Sequence, residues 1–330
     1  MVRGFGILLV IVGHSGIPSF LRLYLYGFHM PLFFILSGYL YRHEKWEKDG
    51  IVRFAIHKWE AYIIPYFLLA FLNLLLYIPV SLIGEEQYTG KELITHVLSK
   101  IYWIFYGGLT ETVTWDSLWF LPCLFLSSLF FFFLMKLRNH YVQIFIIMGF
   151  VILQQILTNR ITMVLPWHPE AAVLGTAFMM IGYKIRENNL LLPKKNSLII
   201  LIFIFILGSA IILNNGIFDM NLNQLGTHFL FGMLGAVCIS YFVMWSFIRL
   251  KPNRFLSFLG QHTLIVIGFN DFIFSCLDFL WVQIPLLGQY TFPWVIKSGM
   301  CLMICMGIMF FWLKANRRFS ESNRFFQKNS

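Results

Sequence analysis

Arg3 and His14 bracket an otherwise apolar opening stretch, Arg3-GFGILLVIVG-His14. On a helix an eleven-residue step closes to within roughly 20° of whole turns, so both side chains share one stripe about 16 Å apart. Ionisable groups inside an apolar helix are costly and point to function. An imidazole is the usual general base near neutral pH, suited to taking a proton from a hydroxyl as it attacks an activated carbonyl. The other reading of His14 is an interhelical hydrogen bond that only holds helices together. His29, in Phe28-His29-Met30-Pro31-Leu32-Phe33-Phe34, supplies a possible second imidazole. A turn containing Pro18 would fold the first two helices into a hairpin, letting both rings face one cavity. Ser15 adjoins His14 but points about 100° away on a helix. With no Ser or Cys set beside either histidine as nucleophile, direct transfer is expected rather than a covalent intermediate. Arg3 is either an anchor at the membrane edge or a grip on an anionic donor group such as a phosphate.

The elements that must position these residues are membrane helices. Of 330 residues, 58% are hydrophobic and 12% charged, against about 25% charged in soluble domains. Apolar runs near 3–22, 27–41, 60–83, 118–136, 141–159, 170–185, 197–214, 227–248, 261–281 and 293–313 predict an all-α bundle of about ten transmembrane helices. Lys and Arg alternate with them. The connections at residues 42–58, 136–138, 184–195 and 249–254, the C-terminal tail and Arg3 hold 20 of the 25, leaving Arg22, Lys91, Lys100, Arg160 and Lys297 on the other side. The positive-inside rule then puts both termini in the cytoplasm. The domain reading is a transmembrane unit over 1–313 and a basic cytoplasmic tail over 314–330, lying against anionic headgroups. The net charge of +10 is spread between spans and forms no single patch, so nucleic acid is not an expected partner. The five cysteines lie in apolar segments without C-x-x-C spacing, and neither a disulfide framework nor a metal site is expected.

Other residues carry two readings each. Residues 84–117, with Glu85, Glu86, Glu92, Glu111, Asp116, Trp103, Tyr106 and Trp115, form either an interfacial aromatic belt or a lip for an acceptor. Trp119 is either packing or a platform for a sugar ring. Ser37 and Gly38 either allow close helix approach or leave room for a donor's pantetheine arm. At least one of Asp271 and Asp278, in or beside an apolar span, should face a cavity or a partner. His168 and Glu170 read as solvated outer-loop residues, and His262 as structural.

The ordered motifs resemble the membrane-integral acyltransferase 3 family, closest to its fucose 4-O-acetylase-like branch. They begin with Arg3-GFGILLVIVG-His14-Ser15 and Phe28-His29-MPLFFILSGY. Ile64-Pro65-Tyr66-Phe67, Leu118-Trp119-Phe120-Leu121-Pro122, Met180-Ile181-Gly182-Tyr183 and Phe258-Leu259-Gly260-Gln261-His262-Thr263-Leu264 follow. The resemblance implies transfer of an acyl group, usually acetyl, from cytoplasmic acyl-CoA to a hydroxyl of a cell-envelope sugar or polysaccharide. The expected partners are thus acetyl-CoA, a carbohydrate acceptor and the lipid bilayer, in a bacterial inner membrane. His14 and His29 would be catalytic, Arg3 and Ser37 would meet the CoA donor, and Trp119 and Asn270 would meet the acceptor. The family often carries an Asp a few residues before the motif Arg; here that partner either lies upstream of Met1 or is absent. Where many members place a further histidine in the ninth span, this chain has Gly268-Phe269-Asn270-Asp271. Asn270 can donate and accept hydrogen bonds but not titrate. Two other classes compete: a transporter acting without chemistry, for which neither inverted repeats nor paired broken helices are visible, and a structural subunit in which Arg3 and His14 would be replaceable.

Overall fold

The computed structural model describes residues 1–83, 90–107, 116–160, 165–192, 197–283 and 293–328. The first helix, α1 (Val2–His14), is shorter than the expected span over 3–22. Its end is written locally. Ser15 turns its hydroxyl back to the Val12 carbonyl at 2.7 Å, Gly16 takes a left-handed φ of +77°, and Pro18 brings no N–H to continue the ladder. At 1.5 Å per residue α1 is about 20 Å long, short of the roughly 30 Å of a bilayer core. The chain continues as α2 (Ser19–Tyr26) and α3 (His29–Tyr39), nearly one rod with a jog at Gly27–Phe28.

Next come α4 (His43–Lys58), a π-helical turn (Trp59–Ile63) and α5 (Ile64–Ile83), a long path kinked at Gly50, then α6 (Lys91–Tyr106). A 3₁₀ turn (Asp116–Trp119) leads into α7 (Phe120–Met135), followed by α8 (His140–Arg160), α9 (Pro169–Glu187) and α10 (Ser197–Asn215). After α11 (Phe229–Arg249), α12 (Arg254–Gln261) and α13 (Thr263–Gln283), α14 (Pro293–Lys328) runs unbroken through the boundary expected at 313.

Among the described residues seven helical stretches are long and apolar enough to cross a bilayer: Ser19–Tyr39, His43–Pro79, Ser117–Met135, Leu198–Asn215, Phe229–Arg249, Thr263–Gln283 and Pro293–Ala315. The expected count of about ten is therefore not confirmed. Helices stand at the other three expected positions, but α1 and the apolar part of α8 (His140–Ile156) are short. The third, α9, carries Glu170, Lys184, Arg186 and Glu187. It is nonetheless deeply enclosed, packed against α3, α7 and α8. Its contact with α3 is backbone on backbone: a Cβ on Gly38 would overlap the Met179 carbonyl, and one on Gly182 the Ile35 carbonyl. Small hydroxyl residues join α9 to α7, where Ser127 Oγ donates to the Ala172 carbonyl at 3.1 Å as well as to its own helix.

One feature departs from an all-α expectation. The connection between α10 and α11 folds as a two-stranded antiparallel ribbon, β1 (Phe218–Asp219) against β2 (Gln224–Leu225). Asn215 holds its base, its side-chain oxygen accepting the His228 N–H at 2.9 Å and its carbonyl the Thr227 N–H at 2.8 Å. Two-residue strands are too short to carry an alternating pattern, so no periodicity announces them.

Candidate active site

His14 is the last residue of α1, placed by the packing of α1 against α12, α13 and α3. Gly4 lies so close to α12 that a Cβ would overlap the Leu256 carbonyl. The helix is unbroken between Arg3 and His14, so their shared stripe holds. Arg3 itself is exposed at the other end, its Cβ beside Gly260 of α12. Met1 meets the same region, where its sulfur accepts the Asn253 N–H. That end of α1 thus adjoins the basic segment containing Lys251 and Arg254.

The imidazole of His14 lies between residues distant in sequence. Nδ1 is 3.0 Å from Oδ1 of Asp271 on α13, and Nε2 is 3.3 Å from Oγ of Ser117 in the turn before α7. A carboxylate only accepts, so the Asp271 contact favours the proton on Nδ1 and leaves the Nε2 lone pair toward Ser117. Ser117 is fixed on three further contacts. Its N–H donates to Asp271 Oδ2 at 2.9 Å, its Oγ lies 3.3 Å from Asp271 Oδ1, and Asn270 Nδ2 donates to that Oγ at 3.2 Å. Asn270 Oδ1 accepts the Asp271 N–H at 2.8 Å, closing the network.

Of these groups His14 and Ser117 border a pocket of about 540 Å³, open mouth included, whose lining also includes Tyr26, His29, Trp119 and Asp219. The hairpin expected from Pro18 takes another form, since α1 ends before it, yet both histidines do reach one cavity. His29, buried at the start of α3, donates from Nδ1 to the Leu25 carbonyl at 2.8 Å, leaving its Nε2 as the acceptor nitrogen. The Tyr26 ring stands near both, 5.0 Å from His29 and 6.4 Å from His14 between centroids. Asp219 comes from β1, in the other half of the chain. Its Oδ1 accepts the N–H groups of Asn221 at 2.9 Å and Leu222 at 3.4 Å. Burial pushes its carboxyl above the usual range, opposed by those two amides and by the Arg22 and His14 side chains.

The expected site residues separate into two groups. His14, His29 and Trp119 border the pocket, and Asn270 sits fully buried directly behind Ser117. Arg3 lies a helix length away. Ser37 is outside the lining, its hydroxyl donating to the Phe33 carbonyl at 2.8 Å, beside the Gly38 contact that lets α9 approach. Of the two aspartates, Asp271 faces the site and Asp278 pairs with Lys297. Of the acceptor lip expected over 84–117, Glu85, Glu86, Glu111 and Trp115 lie outside the described residues.

His168 and Glu170 correct their reading as solvated loop residues. Both are buried, with Nδ1 and Oε1 3.6 Å apart, and the His168 ring packs 5.1 Å from that of Trp119. Trp167 causes this: its N–H and Nε1–H donate to the Tyr106 and Phe105 carbonyls, pinning the segment against α6. Sequence reasoning missed Ser117, which lies 103 positions from His14. Its signal was an Asp-Ser pair immediately ahead of the Leu118-Trp119 helix start. Among the described residues no three His, Cys, Asp or Glu side chains gather as a metal-ligand cluster.

No curated protein and no solved structure matches the chain. The family model of the acyltransferase 3 domain, described as an acyltransferase domain, matches residues 1–312, nearly the whole length. With seven membrane-compatible helices among the described residues in addition, the chain belongs to the acyltransferase 3 family and is a multi-pass membrane acyltransferase.

Proposed function

We propose that this protein transfers an acetyl group from acetyl-CoA to a hydroxyl of a cell-envelope carbohydrate, with His14 as general base. The observation that carries the reading is the setting of His14: Nδ1 against the Asp271 carboxylate, Nε2 toward a hydroxyl, at the edge of a partly aromatic pocket. A base needs its accepting nitrogen turned toward the substrate side and its other nitrogen held in one tautomer. Asp271 supplies the second requirement and offsets the positive charge that forms on the ring as it takes a proton.

The donor is read from the other end of α1. Arg3, Lys251 and Arg254 form a basic approach suited to the phosphates of a coenzyme A. The roughly 16 Å from Arg3 to His14 suits an extended thioester arm running along the helix. The acceptor is read from the pocket. Tyr26 and Trp119 offer flat apolar faces for a sugar ring, and Asp219 and His29 Nε2 offer acceptors for its hydroxyl protons. Both termini are assigned to the cytoplasm from the distribution of Lys and Arg, and the bacterial inner membrane follows from the family resemblance. The donor then meets the basic end from inside and the acceptor enters from outside.

The test uses the purified full chain in nanodiscs with radiolabelled acetyl-CoA and a crude envelope-glycan fraction. Label should move into the glycan and be released from it by mild base as acetate. Absence of label in the glycan, with intact acetyl-CoA recovered, overturns the reading.

A further inference from the structure

We propose that Ser117 carries the acyl group as a covalent ester between donor and acceptor, so that transfer runs through an acyl-enzyme rather than directly. The proposal rests on the acyl-CoA reading above and concerns the same site.

Three observations support it. First, Ser117 Oγ is a pocket hydroxyl that lies against the accepting nitrogen of the candidate base, 3.3 Å from His14 Nε2, while the other nitrogen faces a carboxylate at 3.0 Å. Nucleophile beside base, with the base held by a third group, is the arrangement by which enzymes activate a serine. Second, the serine is restrained. Its N–H is bound by Asp271 Oδ2, and Asn270 donates to its Oγ. With Asn270 supplying one hydrogen, the hydroxyl's own proton has His14 Nε2 and Asp271 Oδ1 as acceptors within reach, each 3.3 Å away. Both accept protons. The 3.3 Å separations are looser than in a reacting complex, as is common in substrate-free sites that tighten when substrate arrives. Third, Ser117 and His14 line one pocket together with Tyr26, His29 and Trp119, so the same base can serve the donor and then the acceptor in turn.

The two half-reactions balance. Ser117 Oγ attacks the thioester carbonyl carbon while His14 Nε2 takes the hydroxyl proton. The tetrahedral adduct collapses, the C–S bond breaks, and the leaving thiolate takes the proton from His14, giving free CoA thiol and an ester on Ser117. An acceptor hydroxyl then attacks that ester carbonyl, His14 takes its proton, and the bond to Oγ breaks. His14 returns the proton to Oγ, restoring the serine and leaving the acceptor O-acylated.

The test incubates full-length protein in nanodiscs with radiolabelled acetyl-CoA alone, quenches in acid, and follows protein-bound label, free thiol and peptide mass. The expected result is a burst of CoA thiol up to one per protein, with the acetyl group mapped to Ser117. Adding the envelope-glycan fraction should discharge the label. Ser117→Ala should carry no label and lose transfer by on the order of 10³-fold or more. Ser117→Cys should instead carry a thioester cleaved by neutral hydroxylamine, which shows a folded, donor-competent protein. Wild-type protein that acetylates the glycan without itself carrying label, or Ser117→Ala transferring at the wild-type rate, overturns the relay alone. Wild-type protein that neither releases CoA nor labels the glycan overturns the acyl-CoA reading and the relay with it.

Discussion

At the scale of single residues, what matters is how the protons on the His14 ring are placed. Asp271 does two things at once: one oxygen faces His14 Nδ1 and the other accepts the Ser117 N–H. Asp271→Asn keeps an oxygen for the Ser117 amide but removes the charge that offsets the imidazolium and can present an NH₂ group to Nδ1. It should lower the transfer rate by about 10²–10⁴-fold with little change in thermal stability. Acetyl transfer to glycan, measured beside a melting curve, checks both halves; an unchanged rate contradicts the role given to Asp271. His14 and His29 were legible because ionisable groups in apolar helices stand out. Asp271 was half legible, as one of two aspartates of which one should face a cavity. Ser117 is not legible, since nothing in the sequence around either histidine points to a hydroxyl that the fold brings to His14 from 103 positions away. Asn270 stands out for its hydrogen-bonding capacity; its position behind Ser117 depends on the packing of α13 against the turn before α7, which no local pattern encodes.

At the scale of elements, the site depends on helices brought closer than side chains normally permit. The α3–α9 contact is the clearest case: α3 carries His29, and the segment before α9 packs against Trp119. Gly38→Ala would place a methyl group on the Met179 carbonyl and should destabilise the protein by about 1–3 kcal/mol through forced separation. Gly299→Ala on α14, where nothing lies within 4 Å of the added carbon, should leave the melting temperature unchanged or raise it. Equal melting temperatures for wild type and Gly38→Ala would show that the two helices part without cost. The helices themselves were legible from apolar runs and basic connections, and a helix stands at every expected position. The end of α1 was misplaced because Gly16 and Pro18 sit inside a hydrophobic stretch: composition favours continuation, backbone chemistry stops it. The burial of His168 and Glu170 was illegible for the opposite reason, because polar residues between spans look solvated until Trp167 is seen to pin them to α6.

At the scale of the whole molecule, the pocket is assembled across the chain: α1 and α3 from the start, the turn before α7 from the middle, and the α10–α11 ribbon and α13 from the second half. Asp219 reports on that assembly because the ribbon buries it against the pocket. Burial raises its carboxyl pKa above that of an ordinary aspartate in the fold, so the folded state holds that proton more tightly than the unfolded chain. Its cost to stability is absent below about 3.8, grows as pH rises through the raised folded value, and is constant above it. Asp219→Asn, which keeps an oxygen for the Asn221 and Leu222 amides, should melt like wild type near pH 4 and at a higher temperature at pH 7. A variant less stable than wild type at pH 7 would mean that the charged carboxylate holds the ribbon in place. Of this assembly the sequence showed the first two helices and the residues near 119 and 270, while the two-residue strands left no periodic trace. The most direct test of the site as a whole is the rate of acetyl transfer from labelled acetyl-CoA to envelope glycan by His14→Ala in nanodiscs, at matched expression and melting temperature. A fall of about 10²-fold or more is expected; transfer at the wild-type rate would contradict the assignment of His14 as the base.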